Sequence, residues 1–270
     1  LLSDKQESML VALHTAGRQR CGLAWMSVTQ GRIHLAECNQ AELAETLARI
    51  APSELLYSAG VTQRFEQTLQ EVRHSGQIAC PLTPRPDWQF DSGLGRSKLL
   101  ELLGSSSLHA WEAENLPLAH AASAALLSYA EHTQGSQLPH IHSLQVQQSE
   151  ALIRLPSSTR RNLELVQTLR GEDSPTLFSL LDTCMSGMGS RLLKRWLHHP
   201  LRDNAPVLAR QQSIEALLAA APGASAWQTE ALLNGLQRAL RPIPDLERIA
   251  TRLALRTLRP RELASLREAL

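Results

Sequence analysis

The sequence of 270 residues lacks several patterns that would assign it to a class directly. No apolar run approaches the roughly 18 residues that a membrane-spanning helix needs. There is no GxxxxGK phosphate loop followed by Ser or Thr, and no GxSxG nucleophile elbow, which argues against enzymes built on either site. The cysteines form no CxxC pair, so neither a zinc site nor a disulfide framework is indicated, and a reducing cytoplasm fits best. They are Cys21, Cys38, Cys80 and Cys184.

Both ends of the sequence indicate a longer parent protein. The N-terminus, LLSDKQESMLVAL, lacks an initiator Met, a basic region and a small-residue cleavage site, so it is not a signal peptide. At the other end, Leu263, Leu266 and Leu270 continue an amphipathic pattern with no Gly cap and no breaker. We therefore expect the chain to be part of a longer protein.

Charge is unevenly distributed, although the net charge is only +1. Up to Leu138 there are 10 basic and 14 acidic residues, and from Pro139 onward there are 17 and 12. Arginine supplies nearly all the positive charge, and it favours bidentate contacts with carboxylate or phosphate groups. The breaker stretch QGSQLPH separates the two blocks. The length and this division predict two domains, residues 1–134 and 135–270.

Strand and helix signals alternate in the first domain. MLVALHT, GLAWMSVT and RIHLAEC predict three strands, and a helix through Ile50 follows with a capping-box-like start at Asn39 and Glu42. The strand ELLYSA and a helix from Thr62 to His74 come next. The prolines of CPLTPRPDWQF favour extended or edge-strand chain, and the helices SKLLELLG and LAHAASAALLSYAEHT complete the domain. This order is that of the ribonuclease H-like fold, so we predict an α/β domain with a mixed sheet.

The second domain is predicted to be helical after a short hairpin in IHSLQVQQ and ALIRLP. One helix runs from Ser157 to about Leu169, and another starts at Ser174 and Pro175. Ser186 caps the helix in MSGMGSRLLKRWLHHP, which Pro200 ends. Further helices follow in APVLARQQSIEALLAA, AWQTEALLNGL and PDLERIATRLALRTL, and the last restarts at Pro260. The predicted fold class is α/β followed by all-α.

Few residues could support catalysis or metal binding. His140 and His142 would project to one side of a strand, but no third ligand has a matching spacing, so a solvated loop or strand pair is favoured. GLGRSK at 93–98 is interpreted as an ordinary loop before a helix. Ribonuclease H-like enzymes hold two metals with clustered carboxylates, whereas the first strand here has none, since Asp4 and Glu7 precede it. We predict no catalytic or metal-binding residue, with a metal-dependent nuclease as the alternative.

The helix at 185–200 has two contrasting faces. Four basic residues at spacing i, i+3, i+4 and i+7 form one stripe, which could contact a nucleic-acid backbone, pair with neighbouring helices or domains, or face water. They are Arg191, Lys194, Arg195 and His198. An imidazolium at the helix C-terminus would also suit the helix dipole. The opposite face is apolar and is predicted to be packed in the core. It contains Met188, Leu192 and Trp196.

Three long blocks carry a resemblance to a known family. TRRNLELVQTLRG, SPTLFSLLDTCMSGMGSRLLKRWLHHPLRD and PDLERIATRLALRTLRPREL resemble, in this order and spacing, the start of the core domain of the MutS family of DNA mismatch repair proteins. The first half, including PSELLYSA and LPHIHSLQ, is similar to the ribonuclease H-like MutS connector domain. Some basic residues of these blocks are candidates for interdomain or DNA-backbone contact. They are Arg160, Arg161, Arg191, Lys194 and Arg195.

The resemblance implies a role for the parent protein and a narrower one for this chain. The family binds mismatched or looped double-stranded DNA as a dimer, uses ATP and Mg²⁺ to become a sliding clamp, and recruits MutL. The family's Phe-x-Glu mismatch wedge and Walker A loop do not occur in this sequence. We therefore expect a noncatalytic, largely monomeric chain without a cofactor of its own, located in the bacterial cytoplasm and acting at the nucleoid.

Such a chain would link the mismatch-binding and ATPase domains, transmit conformational change between them, and offer a connector surface to MutL. A claim of allostery needs two sites and two states, and both sites would lie outside these residues. A helical interaction module with no connection to DNA is a further interpretation, against which the three blocks argue.

Overall fold

The computed structural model describes residues 7–17, 19–27, 30–75, 78–134, 138, 140–148, 151–219 and 226–269. Among these described residues, the first part of the chain combines six strands with four α-helices. The strands are β1 Met9–Ala16, β2 Arg20–Ser27, β3 Arg32–Asn39, β4 Glu54–Ser58, β5 Leu82–Arg85 and β6 Ser143–Val146. The helices are α1 Leu43–Ile50, α2 Gln63–His74, α3 Ser92–Leu103 and α4 Pro117–Gln134.

The six strands form one mixed sheet in the order β5-β4-β1-β2-β3-β6. The first three strands pair antiparallel as a meander, and β4 pairs parallel with β1, with Val11 opposite Leu55. The strands β5 and β6 add in parallel at the two edges. The predicted α/β domain with a mixed sheet and the ribonuclease H-like element order are therefore confirmed.

Hydrophobic residues cover both faces of the sheet, as the alternation along a strand requires. On one face, Ala12 and Leu56 pack in a core with the alanine-rich helix α4, whose Ala122 and Ala125 are fully buried. On the other face, Val11 and neighbouring strand residues pack against α1 and α2. A sheet buried on both sides gives the first part of the chain a core of its own.

Small residues allow α3 and α4 to approach each other closely. A Cβ atom at Gly95 would overlap the backbone carbonyl of His120 on α4, so only glycine fits there. The segment GLGRSK was predicted to be a loop, and this is wrong. It lies inside α3, which begins at Ser92 with Asp91 as its N-cap. Asp91 Oδ1 accepts a hydrogen bond from the Leu94 backbone N–H at 2.6 Å.

The chain around β6 also differs from the prediction. Because β6 extends the sheet beside β3, and Leu152 forms an isolated antiparallel bridge with Leu201, the predicted hairpin of IHSLQVQQ and ALIRLP is wrong. The boundary between residues 134 and 135 stays a prediction, with the last strand of the sheet after it. The strand β5, which contains Pro84, lies at an edge of the sheet. This confirms the prediction that CPLTPRPDWQF is extended or edge-strand chain. Asn39 makes no side-chain capping bond, so the capping box is wrong.

The second part of the chain is helical, as predicted. Its helices are α5 Ser157–Asn162, α6 Leu177–Leu181, α7 Gly187–His198, α8 Ala205–Ala219, α9 Ala226–Leu240, α10 Leu246–Ala254 and α11 Pro260–Ala269. Ser186 caps α7 by accepting a hydrogen bond from the Gly189 N–H at 3.2 Å, which confirms its predicted role. Within the described ranges, no helix has the length and apolar character needed to cross a membrane.

Two predicted helix limits in this part are wrong. The helix starting at Ser157 ends at Asn162 rather than near Leu169, and turns and bends follow it. The N-cap of α6 is Thr176 rather than Ser174, because Thr176 and Ser179 satisfy each other's backbone N–H groups as a capping box. Sequence patterns indicated helices here, but the choice among adjacent capping residues depended on the local backbone.

Candidate functional site

The face of α7 that packs inward is the basic one, contrary to the predicted packing. Arg191 is only 1% exposed and His198 is also buried, whereas Trp196 is 40% exposed. The Arg210 guanidinium covers one side of the Trp196 ring at 4.1 Å from the ring centroid. The prediction that the face containing Leu192 and Trp196 is the packed one is therefore wrong. Acidic residues on neighbouring segments make burial of the basic face possible.

Arg191 is held by two carboxylates at the start of α10. Its Nη1 donates to Asp245 Oδ2 at 2.6 Å, and its Nη2 donates to Asp245 Oδ1 at 2.8 Å. Nη2 also donates to Glu247 Oε2 at 2.8 Å. Asp245 has a second role, since it is the N-cap of α10 and accepts from the Arg248 backbone N–H at 3.3 Å. One bidentate contact therefore fixes α7 against the first turn of α10.

The protonation states of this pair are mutually reinforced. Burial by itself would raise the pKa of Asp245, but the hydrogen bonds and charge of Arg191 outweigh it, and the Asp245 pKa is lowered. Burial would likewise lower the pKa of Arg191, but the same contacts raise it. The pair is thus fully ionised at neutral pH, and its attraction is strengthened by exclusion of water.

A second contact joins α7 to the first part of the chain. Arg195 Nη2 lies 3.2 Å from Glu7 Oε1, and Glu7 lies two residues before the start of β1. Gln30, before β3, donates to the same Glu7 oxygen at 2.7 Å. Arg191 Nε approaches that oxygen at 4.0 Å. Burial raises the pKa of Glu7, and Arg195 opposes this shift. Glu7 is therefore shared between the sheet and the helical part of the chain.

Other arginines of the second part reach the first part in the same way. Arg154 Nη1 lies 2.8 Å from Glu42 Oε1, and Arg161 Nη1 donates to the Ser75 carbonyl at 3.0 Å. We call the surface formed by Glu7, Glu42, Ser75, Arg154, Arg161, Arg191, Arg195, Asp245 and Glu247 the charged junction. Its contacts are polar and connect segments that lie far apart in sequence.

The five residues predicted for interdomain or DNA-backbone contact therefore have different surroundings. Arg161 and Arg195 contact the first part of the chain, and Arg191 contacts α10. Arg160 is buried and donates to the His198 carbonyl at 3.1 Å. Lys194 lies over the Phe178 ring, 5.8 Å from its centroid. The guanidinium groups of Arg160 and Arg191 are buried, so they do not offer a surface on which the backbone of a DNA duplex could lie.

The imidazolium interpretation of His198 is wrong. Burial, followed by the nearby Arg160 charge, lowers the pKa of His198 to about 3, so the ring is neutral at physiological pH. A neutral ring cannot act as a cation at the helix C-terminus. The sequence indicated a helix end that favours positive charge, but it did not reveal the burial that removes the charge.

The candidates for chemistry lie apart from one another. In the part of the chain that the structure describes, no three His, Cys, Asp or Glu side chains come together as a metal site. The solvated setting predicted for His140 and His142 is wrong for His140, which is buried in a turn before β6. The His142 ring nitrogen Nδ1 lies 2.9 Å from the His140 carbonyl rather than beside its ring. Glu7 is engaged by Arg195, and Asp4 lies outside the described residues. The phosphate-loop-like stretch at 93–98 is helical.

Sequence reasoning missed the acidic half of the charged junction. Asp245 and Glu247 stand at a predicted helix start, where acids are expected for capping and dipole reasons. Their partner, Arg191, lies 54 positions from Asp245, and no local pattern connects the two. Glu7 was considered only as a possible metal ligand of a nuclease. The spacing of the basic residues could be recognised in the sequence, whereas their acidic partners were identified only from the structure.

Comparison with protein families accounts for both parts of the chain. The family model described as MutS domain II matches residues 8–142, which contain the sheet up to β5 and helices α1 to α4. The family model described as MutS domain III matches residues 158–270, which contain the helical part. The two matches follow each other in the order that the resemblance predicted, with the connector domain before the core domain. The chain belongs to the MutS family of DNA mismatch repair proteins.

Proposed function

We propose that this chain is a noncatalytic connector and core that holds a mismatch-reading domain and an ATPase domain of a longer protein in a defined relation. The observation that carries the proposal is the charged junction, in which α7 contacts both the sheet and the start of α10. An element held on two sides by short ionic contacts can pass a displacement from one neighbour to the other. Family membership supports mismatch repair as the process in which this happens.

The geometry of α7 supports coupling between domains rather than direct DNA binding. Arg191 and Arg195 lie one turn apart, so a rotation or shift of α7 would disturb the contacts to Asp245 and Glu7 together. Buried contacts of this kind have two states, made or broken, and do not stretch gradually. We infer that α7 transmits conformational change between the connector and the base of the core helices.

Family membership supports a set of proposed partners for the longer protein. We propose mismatched double-stranded DNA as the ligand of the longer protein, ATP with Mg²⁺ as its cofactor, and MutL as a partner that contacts the connector. We further propose that the longer protein is a homodimer, that this chain alone is monomeric, and that the protein acts in the bacterial cytoplasm. The second domain carries the excess of positive charge, and any DNA contact made by this chain alone would be weak and salt-sensitive.

Two measurements on the isolated chain test its noncatalytic character. The first is ATP turnover by the purified chain, which we expect to be absent. The second is a titration of matched and mismatched duplexes at low and at physiological salt, in which we expect weak binding without mismatch preference. ATP turnover by the chain, or binding that is unchanged by salt, would contradict the proposal. The full-length parent provides the positive control in both assays.

A further inference from the structure

Two buried guanidinium groups lie where a helix of the first part of the chain packs against a helix of the second part. Arg49, on α1, is 4% exposed, and Arg160, on α5, is 8% exposed. The helices α1 and α5 are in contact. Arginine keeps its charge inside proteins because its pKa is very high. The pair therefore places two positive charges where water has little access.

Arg49 has no hydrogen-bond or ion-pair partner among the described residues, and its Nε atom is buried without one. The nearest carboxylates are on its own helix or just before it. Glu45 acts on Arg49 at a distance, and Glu42 is engaged by Arg154 at 2.8 Å. Burial lowers the pKa of Arg49, and the neighbouring carboxylates only oppose this shift. The guanidinium is thus built into the fold without an acid to receive its hydrogen bonds.

Arg160 is only partly satisfied. Its Nη2 donates to the His198 carbonyl at 3.1 Å, its Nη1 lies 3.4 Å from His198 Nδ1, and its Nε is buried with no partner in the described part of the chain. Burial, and then the charge of Arg49, lower the pKa of Arg160. His198 and His199 are neutral, with pKa values lowered by burial to about 3 and about 4. Neither histidine supplies a negative charge.

The charges around this pair do not balance. Three guanidinium groups, those of Arg49, Arg154 and Arg160, are near two carboxylates, those of Glu42 and Glu45. Arg154 is largely exposed and is already paired with Glu42. The two buried arginines are therefore the groups that lack a compensating negative charge. An unpaired buried ion carries a penalty of several kcal/mol, and proteins normally avoid it by pairing the ion.

We propose that Arg49 and Arg160 form a binding site for a small oxyanion of the inorganic phosphate class at the packing surface of α1 and α5. A phosphate oxygen pair matches the planar fork of a guanidinium, so each arginine can donate two parallel hydrogen bonds. The anion would supply the missing charge and receive the unpaired N–H groups. It would thereby join the sheet-containing part to the helical part independently of the charged junction.

The site is tested by thermal unfolding of the chain in a titration of inorganic phosphate at constant ionic strength, balanced with chloride. We expect the unfolding temperature of the unmodified chain to rise with the logarithm of phosphate concentration, as for a ligand that binds only the folded state. Phosphorus NMR line broadening reports the same binding directly. Acetate, offered in parallel, distinguishes a preference for tetrahedral oxyanions from one for carboxylates.

Three variants make the result specific. Arg49→Met and Arg160→Gln should each abolish the phosphate response, while Arg64→Met, which removes an exposed arginine on α2, should retain it. Without phosphate, Arg49→Met should be at least as stable as the unmodified chain, because it removes an unpaired buried charge. The proposal is overturned if the unmodified chain does not respond, or if Arg49→Met responds equally. Strong destabilisation of Arg49→Met without phosphate would also overturn it, because it would show that Arg49 has a partner within the chain.

Discussion

At the scale of single residues, Arg191 is the most consequential side chain of the second domain. It is fully enclosed, yet its guanidinium donates three hydrogen bonds to two carboxylates on another helix. A buried ion pair gives little net stability relative to an apolar pair, but losing one partner leaves the other uncompensated. The role of Arg191 is therefore to specify which helix α7 packs against.

Replacing Arg191 by Met tests this role. We expect a loss of about 3 kcal/mol in the free energy of unfolding, because Asp245 and Glu247 lose their shared buried cation. Asp245 then keeps only Arg248, whose Nε lies 3.4 Å from Asp245 Oδ2. Urea denaturation measures the loss, and Arg64→Met is the control that removes an exposed arginine. A loss within about 0.5 kcal/mol, the range of ordinary surface substitutions, would show that the ion pair does not hold α7.

His198 makes the stability depend on pH in a definite direction. Its pKa in the folded chain is about 3, below its ordinary value of 6.5, so the unfolded state binds the proton more readily. The stabilisation is fully present above about pH 6.5 and is lost at up to about 1.4 kcal/mol per pH unit as the pH falls below that value. The Asp245 contribution has a different window, since its lowered pKa preserves it until the pH falls below about 3.9.

His198→Gln should therefore weaken the pH dependence between about pH 6.5 and pH 5, while the lowered pKa values of His34 and His199 maintain part of it. The measurement is the free energy of unfolding of both chains across this range, with His74→Gln, an exposed position on α2, as the control. Parallel curves for the unmodified chain and His198→Gln would mean that folding does not lower the pKa of the His198 ring.

At the scale of elements, most of the first domain was predictable from sequence, whereas the faces of α7 were not. Period-2 alternation and Pro84 indicated the strands and the edge position of β5, because these signals are local. The inward face of α7 was misassigned because hydrophobic periodicity treats arginine as exposed. In the structure, Asp245, 54 positions from Arg191, makes its burial favourable. The basic stripe was recognisable as a candidate site, but its acidic partners were not.

Trp196 gives a test at this scale. Because its side chain is partly exposed and is covered mainly by Arg210, Trp196→Ala should cost about 1 to 2 kcal/mol, below the 3 to 5 expected for a fully buried tryptophan. Chemical denaturation compares it with Arg210→Met, which removes only the stacked cation. A cost of about 4 kcal/mol or more would restore the interpretation that this face is packed in the core.

The close approach of α3 and α4 gives another test at the scale of elements. Gly95→Ala should destabilise the first domain by about 2 kcal/mol or more, because the new Cβ would overlap the His120 carbonyl and the backbones would have to separate. Gly93→Ala, on the same helix, meets only the Asp91 carboxylate at 3.3 Å and is the matched control. Equal stability of the two variants would contradict the backbone contact between α3 and α4.

At the scale of the whole molecule, ionic contacts join the two parts of the chain. Glu7 with Arg195 and Glu42 with Arg154 connect the sheet to the helical part. Such contacts specify one arrangement but are individually weak where water reaches them, so they suit a joint that must change state. This feature distinguishes the charged junction from the two apolar cores on either side of the sheet.

Charge exchange across the junction tests the central claim most directly. In the full-length protein, Glu7→Lys or Arg195→Glu alone should reduce the stimulation of ATP turnover by mismatched DNA while leaving turnover without DNA unchanged. Combining the two restores opposite charges and should recover most of the stimulation, and Arg64→Glu should have no effect. If both single variants retain full stimulation, or if the double variant is as impaired as the singles, the junction does not couple the two domains.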